Sequence, residues 1–281
     1  MLSTPTTAAL QPFVELFWAR AAQPACPGLR ERVLPSGRPH LALRLDGAGL
    51  RLYADEHDRD GQRIANAVVA GVRTRPYFKD IGEPSRSVGA VLRPGAARAL
   101  FGCSAAVLVD RHVGLDEFWG DEAETLRQRL AQTIDTARQI ELLQAALLRR
   151  LRPIRAVPAP IAQALAAVTA DSDIAALVRA GGCSHKHFVA LFRDAVGLPP
   201  KRHARVLRLQ RALQSQTDST WSERALDAGY SDQAHLQREF RALTGLTPQD
   251  WRRAQTGSPH HLTEAAPVNF VQDPPPETPL A

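Results

Sequence analysis

The C-terminal part of the sequence overlays itself. Displaced by 48 positions, SHKHFVALFRDAVGLPP (184–200) falls on DQAHLQREFRALTGLTP (232–248). Phe188 lands on Leu236, Phe192 on Phe240 and Arg193 on Arg241. Gly197, Leu198 and Pro200 land on Gly245, Leu246 and Pro248, and upstream Gly181 lands on Gly229. Apolar residues four apart share one face of a helix, so each copy holds an amphipathic helix. Ser184 and Asp232 have the short oxygen side chains that cap helix starts. Gly197 and Gly245 stand where a left-handed residue stops a helix, and Gly181 and Gly229 permit a tight turn before it. The repeat therefore specifies two copies of helix, glycine turn, helix.

That is the helix-turn-helix arrangement, whose second helix enters a major groove. Between the copies runs PKRHARVLRLQRALQSQ (200–216). There Val206, Leu207, Leu209 and Leu213 can pack while Lys201, Arg202, Arg205, Arg208 and Arg211 project. One rigid helix between two reading heads would fix their separation, suiting successive major grooves roughly 34 Å apart.

Charge points the same way. Of the net +6, residues 152–256 carry 15 basic against 9 acidic side chains, residues 1–151 carry 20 against 17, and residues 257–281 carry none against 3. A positive excess in the helical part fits a polyanionic partner. A chain of 281 residues that is 44% hydrophobic has room for two folded domains. It contains no apolar run long enough for a transmembrane helix. The first twenty residues lack the features of a signal peptide. Cys26, Cys103 and Cys183 are too few and too scattered for a disulfide framework or a cysteine zinc site. A cytoplasmic protein is expected.

Upstream, LALRL (41–45), LRLY (50–53), NAVVAGV (66–72) and SVGAVLRP (87–94) are short β-forming runs separated by Gly, Pro and Asp turn signals. They predict a small antiparallel β barrel or sandwich. From Asp121 the spacing of Leu126, Leu130, Ile134, Ile140, Leu143, Leu147 and Leu151 is helical. This stripe either packs on its own barrel or pairs two protomers, the first being favoured. The expected division is an α+β domain at 1–151, a proline-containing linker at 152–160, an all-α domain with two helix-turn-helix units at 161–255, and a disordered Pro-rich tail at 256–281.

ALDAGYSDQAHLQREFRALTGLTPQDWR (225–252) resembles the signature of AraC-type (AraC/XylS) transcriptional regulators. Ala225, Gly229, Tyr230, Ser231, Phe240, Gly245, Pro248 and Arg252 carry the likeness, which extends over residues 160–254. LQPFVELFW (10–18), LPSGRPHLAL (34–43) and SVGAVLRPGAARALFG (87–102) are similar, more loosely, to the cupin-like sensor domain of one branch of that family. The resemblance implies a sequence-specific DNA-binding regulator controlled by a small-molecule effector, not an enzyme. It implies double-stranded DNA as partner, and leaves RNA polymerase and a second copy of the chain open. Carried over by position, the DNA-facing residues are His185, Lys186, Val189 and Ala190 in the first unit. In the second they are Gln233, Ala234, Gln237 and Arg238, with His235 nearby. Gln suits adenine N6/N7 and Arg suits guanine O6/N7, while Lys186 suits a guanine or a phosphate. Arg193 and Arg241 are either phosphate contacts or partners of a residue one helical turn away. Ala190 departs from the family pattern, which commonly has a polar or basic residue there.

Two other classes stay open. A metal enzyme of the cupin type would need clustered ligands. Residues 1–151 hold His40, His57 and His112 with no H-x-H pair, and no catalytic motif stands out, so neither a metal nor a cofactor is expected. A sensor acting only through protein contacts would lack salt-dependent DNA binding. His260 and His261 in the tail are expected to be inert.

Overall fold

The computed structural model describes residues 2–4, 7–153, 157–167, 174–214, 219–254 and 259–265. Strands β1 (Leu2–Thr4), β2 (Val14–Arg20), β3 (Leu29–Val33), β4 (His40–Arg44), β5 (Leu50–Tyr53), β6 (Gln62–Ile64), β7 (Ala67–Ala70), β8 (Tyr77–Asp80), β9 (Ser87–Leu92) and β10 (His112–Gly114) come first. Helices α1 (Asp116–Trp119), α2 (Asp121–Gln132) and α3 (Thr136–Arg150) follow. The second domain holds α4 (Ala159–Ala167), α5 (Ile174–Ala180), α6 (His185–Val196), α7 (Pro200–Gln214), α8 (Trp221–Asp227), α9 (Gln233–Thr244) and α10 (Pro248–Ala254). The described chain ends on β11 (His261–Ala265).

The strands form two antiparallel sheets, ordered β1-β2-β9-β4-β7-β10 and β11-β3-β8-β5-β6. Period-two alternation gives the first sheet two different faces. Leu41 and Leu43 of β4, Phe17 and Ala19 of β2, and Val88 and Ala90 of β9 join the core beneath Leu126, Leu130, Ile140, Leu143 and Leu147 of α2 and α3. His40, Ala42 and Arg44, then Leu16, Trp18 and Arg20, point the other way, into the space between the sheets. A bulge between Val14 and Leu16 resets the alternation of β2, so that Val14 is also in the helix-covered core. Trp18 crosses β9 so closely that a Cβ on Gly89 would lie 2.4 Å from the indole, and only glycine fits there.

The expected fold classes are found: a β-rich first domain with helices, then a helical domain. The apolar stripe of α3 packs on its own barrel. The continuous helical spacing from 121 to 151 is nevertheless broken, because the chain leaves α2 at Thr133 and restarts when Asp135 Oδ1 accepts the backbone N–H of Arg138 at 2.6 Å. Ile134, expected in the stripe, lies in this break and is 88% exposed. Residues 154–156 of the expected linker lie outside the described residues, and α4 begins at Ala159, inside the expected linker.

The expected disordered tail needs a larger correction. Residues 261–265 pair with β3 in register from His261↔Val33 to Ala265↔Leu29. Leu262 is fully buried beside Leu34, Phe240, Leu243 and Trp251, and Trp251 Nε1 donates to the Pro259 carbonyl at 3.0 Å. The remainder of 256–281 lies outside the described residues.

The helical domain is docked on the barrel at two places. Val72 meets Leu198 and Val206, and Arg98 pairs with Asp194. Leu34 enters the core of α7, α9 and α10, while Gln210 Nε2 donates to the Pro35 carbonyl.

Candidate nucleic-acid interface and barrel cavity

The second helix of each unit is set by local chemistry. In the second unit, Thr220 and Glu223 form a reciprocal capping box at the start of α8. Gly229 turns the chain at φ +83°. Asp232 then caps α9, its Oδ1 accepting the His235 N–H at 2.6 Å. That bond, and one from Ser231, hold the Asp232 carboxyl below its ordinary pKa. Leu236, Phe240 and Leu243 face inward, packed with Trp221 and Trp251, and α9 stops at Gly245 with φ +75°. In the first unit Ser184 caps α6 at 3.3 Å, Phe188 and Phe192 are buried and stacked, and Gly197 has φ +95°. The left-handed turn residue there is Gly182, not Gly181. Gly181 is required by proximity instead: a Cβ would sit 3.1 Å from Phe188.

The faces opposite these stripes are open to solvent. His185, Lys186, Ala190 and Arg193 on α6 are exposed, and Val189 is partly buried. On α9, Gln233, Ala234, Gln237, Arg238 and Arg241 are exposed. No carboxylate of the described residues pairs with Lys186, Arg193, Arg238 or Arg241. Arg193 and Arg241 thus have no ion-pair partner on their own helices. His235 is half-buried and locally engaged, edge-on to Tyr230 and 3.2 Å from Ser231 Oγ. Gln233 accepts from Ser222 Oγ at 2.9 Å. Arg205 and Arg208 do not simply project from α7: both bind Glu239, at 2.8 and 3.1 Å, and tie α7 to α9.

The space between the two sheets is a second candidate site. It is a cavity of about 390 Å³, within the range of small-molecule sites. Leu16, Trp18, Leu50, Val68 and Val91 form apolar walls. At one end stand His40, His112 and Tyr77, with His112 edge-on to Tyr77 at 4.6 Å and hydrogen-bonded to Arg73. Burial first, then the charge of Lys79 and other cations, lowers the His40 pKa to about 4. Burial and Arg73 lower that of His112 to about 2. Both are neutral at pH 7. His260 and His261, from the far end of the chain, line the same cavity, and His261 Nδ1 lies 3.1 Å from Glu31. They are structural participants, contrary to the expectation of an inert pair. Among the described residues, no three His, Cys, Asp or Glu side chains are placed to share a metal ion. At the other end, beyond Ala42, is Arg44.

Sequence reasoning missed this cavity. Its signal was the strand HLALR, in which His40, Ala42 and Arg44 alternate with fully buried leucines.

Residues 177–254 match the helix-turn-helix domain family. Residues 3–114 match a domain of unknown function. No curated protein matches the sequence. Among solved structures, ToxT from Vibrio cholerae is similar over 86% of this chain and 99% of its own, at 8% identity and a TM-score of 0.45. The fatty-acid-bound form of ToxT is similar over 86% and 96%, at 9% identity and a TM-score of 0.45.

Proposed function

We propose that this chain, an AraC-type DNA-binding transcription regulator, reads its operator with α6 and α9 together while a small molecule in the barrel cavity sets its activity. The carrying observation is the pair of exposed faces on matched helices, with Lys186, Arg193, Arg238 and Arg241 in no ion pair among the described residues. Cations left unpaired on one face are available to phosphates and base edges, where the partner supplies the negative charge. Gln237 and Arg238 have the chemistry for adenine and guanine edges. Lys186 suits a guanine or a phosphate, Ala190 and Val189 an apolar contact, and Arg193 and Arg241 the backbone.

Control through the cavity follows from what its walls are attached to. Leu34, beside the cavity, is in the core of the second unit, and His260 and His261 lead into a strand beyond it. A ligand that displaces these residues changes how the second unit is held on the barrel.

The test is selection of duplex DNA from a random pool with wild type and Arg238→Ala, followed by affinity against salt. A bipartite motif with half-elements about one helical turn apart is expected. Arg238→Ala should relax one base position at a cost of about 1–3 kcal/mol. Unselective binding by both proteins would remove the reading-head assignment.

A further inference from the structure

We infer that Glu239 sets the spacing at which the two DNA half-elements are read: clamped by Arg205 and Arg208 of α7, it fixes where α9 stands relative to α6 and meets no DNA itself. This deepens the reading of α6 and α9 as the DNA-contacting pair. It rests on that reading for its effect on DNA, though not for the clamp.

Charge sets Glu239 apart. Five Lys and Arg side chains lie on α7 and two on α9, and Glu239 is the one carboxylate of both helices. A carboxylate repels phosphates, so on a helix that faces DNA it needs an internal use. The Glu239 side chain is only 13% exposed, and α7 takes up both of its oxygens. Arg205 Nε donates to Oε1 at 2.8 Å. Arg208 donates to both oxygens, from Nη2 at 3.1 and 3.2 Å and from Nε at 3.3 Å. His235 Nε2, one turn earlier on α9, lies 3.7 Å from Oε1. Guanidinium–carboxylate bonds of this kind are directional, so they fix geometry as well as adding energy.

The repeat shows which unit needs such a clamp. Gly197, Leu198 and Pro199 alone separate α6 from α7, so the chain itself places α6. Between α7 and α9 lie residues 215–232, with α8 among them, so α9 is placed by side chains. Displaced by 48 positions, Glu239 falls on Leu191, which packs in the apolar cluster of α4, α5 and α6. Only the copy whose place on α7 the chain leaves open carries the ionic contact. Leu209 and Leu213 also meet Phe240 and Leu243, but apolar burial is non-directional and resists separation more than sliding. From the barrel, Arg32 Nη1 reaches only the end of α9, 3.4 Å from the Thr244 carbonyl. A single base pair amounts to about 3.4 Å of rise and about 35° of rotation. To favour one spacing over the next, α9 must be held against α6 more closely than that. Hydrogen bonds weaken within a few tenths of an ångström and meet this demand. An apolar stripe alone does not.

The experiment is random-pool selection with the full chain, comparing wild type with Glu239→Gln and with Glu239→Leu, which installs the first copy's side chain. Wild type should return its half-elements at one spacing. Both variants should return the same half-elements spread over one or more further base pairs. Their affinity for unselected duplex should be unchanged or higher, since a negative charge is removed. Arg205→Gln with Arg208→Gln removes the clamp from α7 and leaves α9 unaltered, which keeps the test decisive if Glu239→Leu does not fold. It should spread the spacing in the same way. One unchanged spacing in the variants, or altered base preference in the half read by α9, would overturn the inference. A measurement without DNA separates the clamp from the reading function. Spin labels at Ala190→Cys and Ala234→Cys, both exposed positions, report the distance from α6 to α9 once Cys26, Cys103 and Cys183 are replaced by alanine. Glu239→Gln should widen that distance distribution by about 3 Å or more, the rise of one base pair. An equally narrow distribution sinks the clamp whatever the selection returns. A widened one, beside a wild type that selects no motif, sinks the DNA reading and with it the spacing role, while the clamp stands.

Discussion

Phe192 and Phe240 occupy the same place in two copies of one motif, and both are fully buried. Their surroundings differ. Phe192 packs against Phe188, against His203 at 5.7 Å, and within a cluster drawn from α4, α5 and α6. Phe240 packs against Trp221 and Trp251 at 6.2 and 6.0 Å, in a cluster that also contains Leu34 from the barrel and Leu262 from β11. The first unit builds its core from its own helices and touches the barrel at its rim, through Leu198 and Val206. The second unit shares its core with the barrel. Similar sequence has thus produced one reading head that rests on the barrel and one that is partly made of it.

Truncating the two phenylalanines tests this most strongly. Each should cost about 3–5 kcal/mol. Phe240→Ala should also loosen β3 and β11 in hydrogen exchange, whereas Phe192→Ala should leave them protected. Equal effects on those strands would erase the distinction. Leu262→Ala comes next, at about 2–5 kcal/mol. It should lower the melting temperature of the second unit and of the barrel together, while amide protection in α4 to α6 is preserved.

Acid should act on the first unit as well as on the barrel, whose buried His40 and His112 are depressed in the same way. Burial lowers the His203 pKa from 6.5 to about 4, and its ring packs on Phe192. A depressed histidine contributes stability fully above its unfolded pKa and loses that contribution as pH falls toward the folded value. Between pH 6.5 and 4 the protection of α6 and α7 should therefore decline, and His203→Leu should flatten that dependence. An unchanged profile in the variant would rule His203 out as the cause. Smaller still, Thr220→Ala removes a reciprocal cap for about 1 kcal/mol. Ser184→Ala should cost less, its single bond being 3.3 Å long. The slightest effect is expected from Lys186→Ala if Lys186 meets a phosphate. It would weaken all duplexes alike and lower the salt slope by about 0.9, against the base-selective loss from Arg238→Ala.

The helical domain was legible because it repeats. Caps, stripe and stop occur twice at one spacing, and each copy checks the other. Even there, the left-handed residue of the first turn falls on Gly182, since consecutive glycines give the sequence no means of choosing. The break after α2 was hidden because Leu126, Leu130 and Ile134 keep helical spacing across it, and only Asp135 as a cap signalled a restart. Arg44 was legible on the strand face opposite Leu41 and Leu43, but that face usually meets water. Knowing that it meets a cavity requires the second sheet, which lies opposite it only in the folded molecule. The tail was misread through composition. A five-residue edge strand needs one buried side chain, here Leu262, and a free ladder to bind, and neither leaves a periodic signal.

Since β11 belongs to the same sheet as β3, the DNA-binding domain is an insertion between the helices of the barrel domain and that domain's last described strand. The barrel domain is discontinuous in sequence. A fragment cut at the apparent boundary near residue 151 would lack its final edge strand. It would expose the backbone of β3 from Leu29 to Val33, the kind of bare edge that recruits strands from other chains. The same pairing that finishes the barrel in one molecule is thus a ready-made seam for self-association once the two halves of the barrel domain are separated.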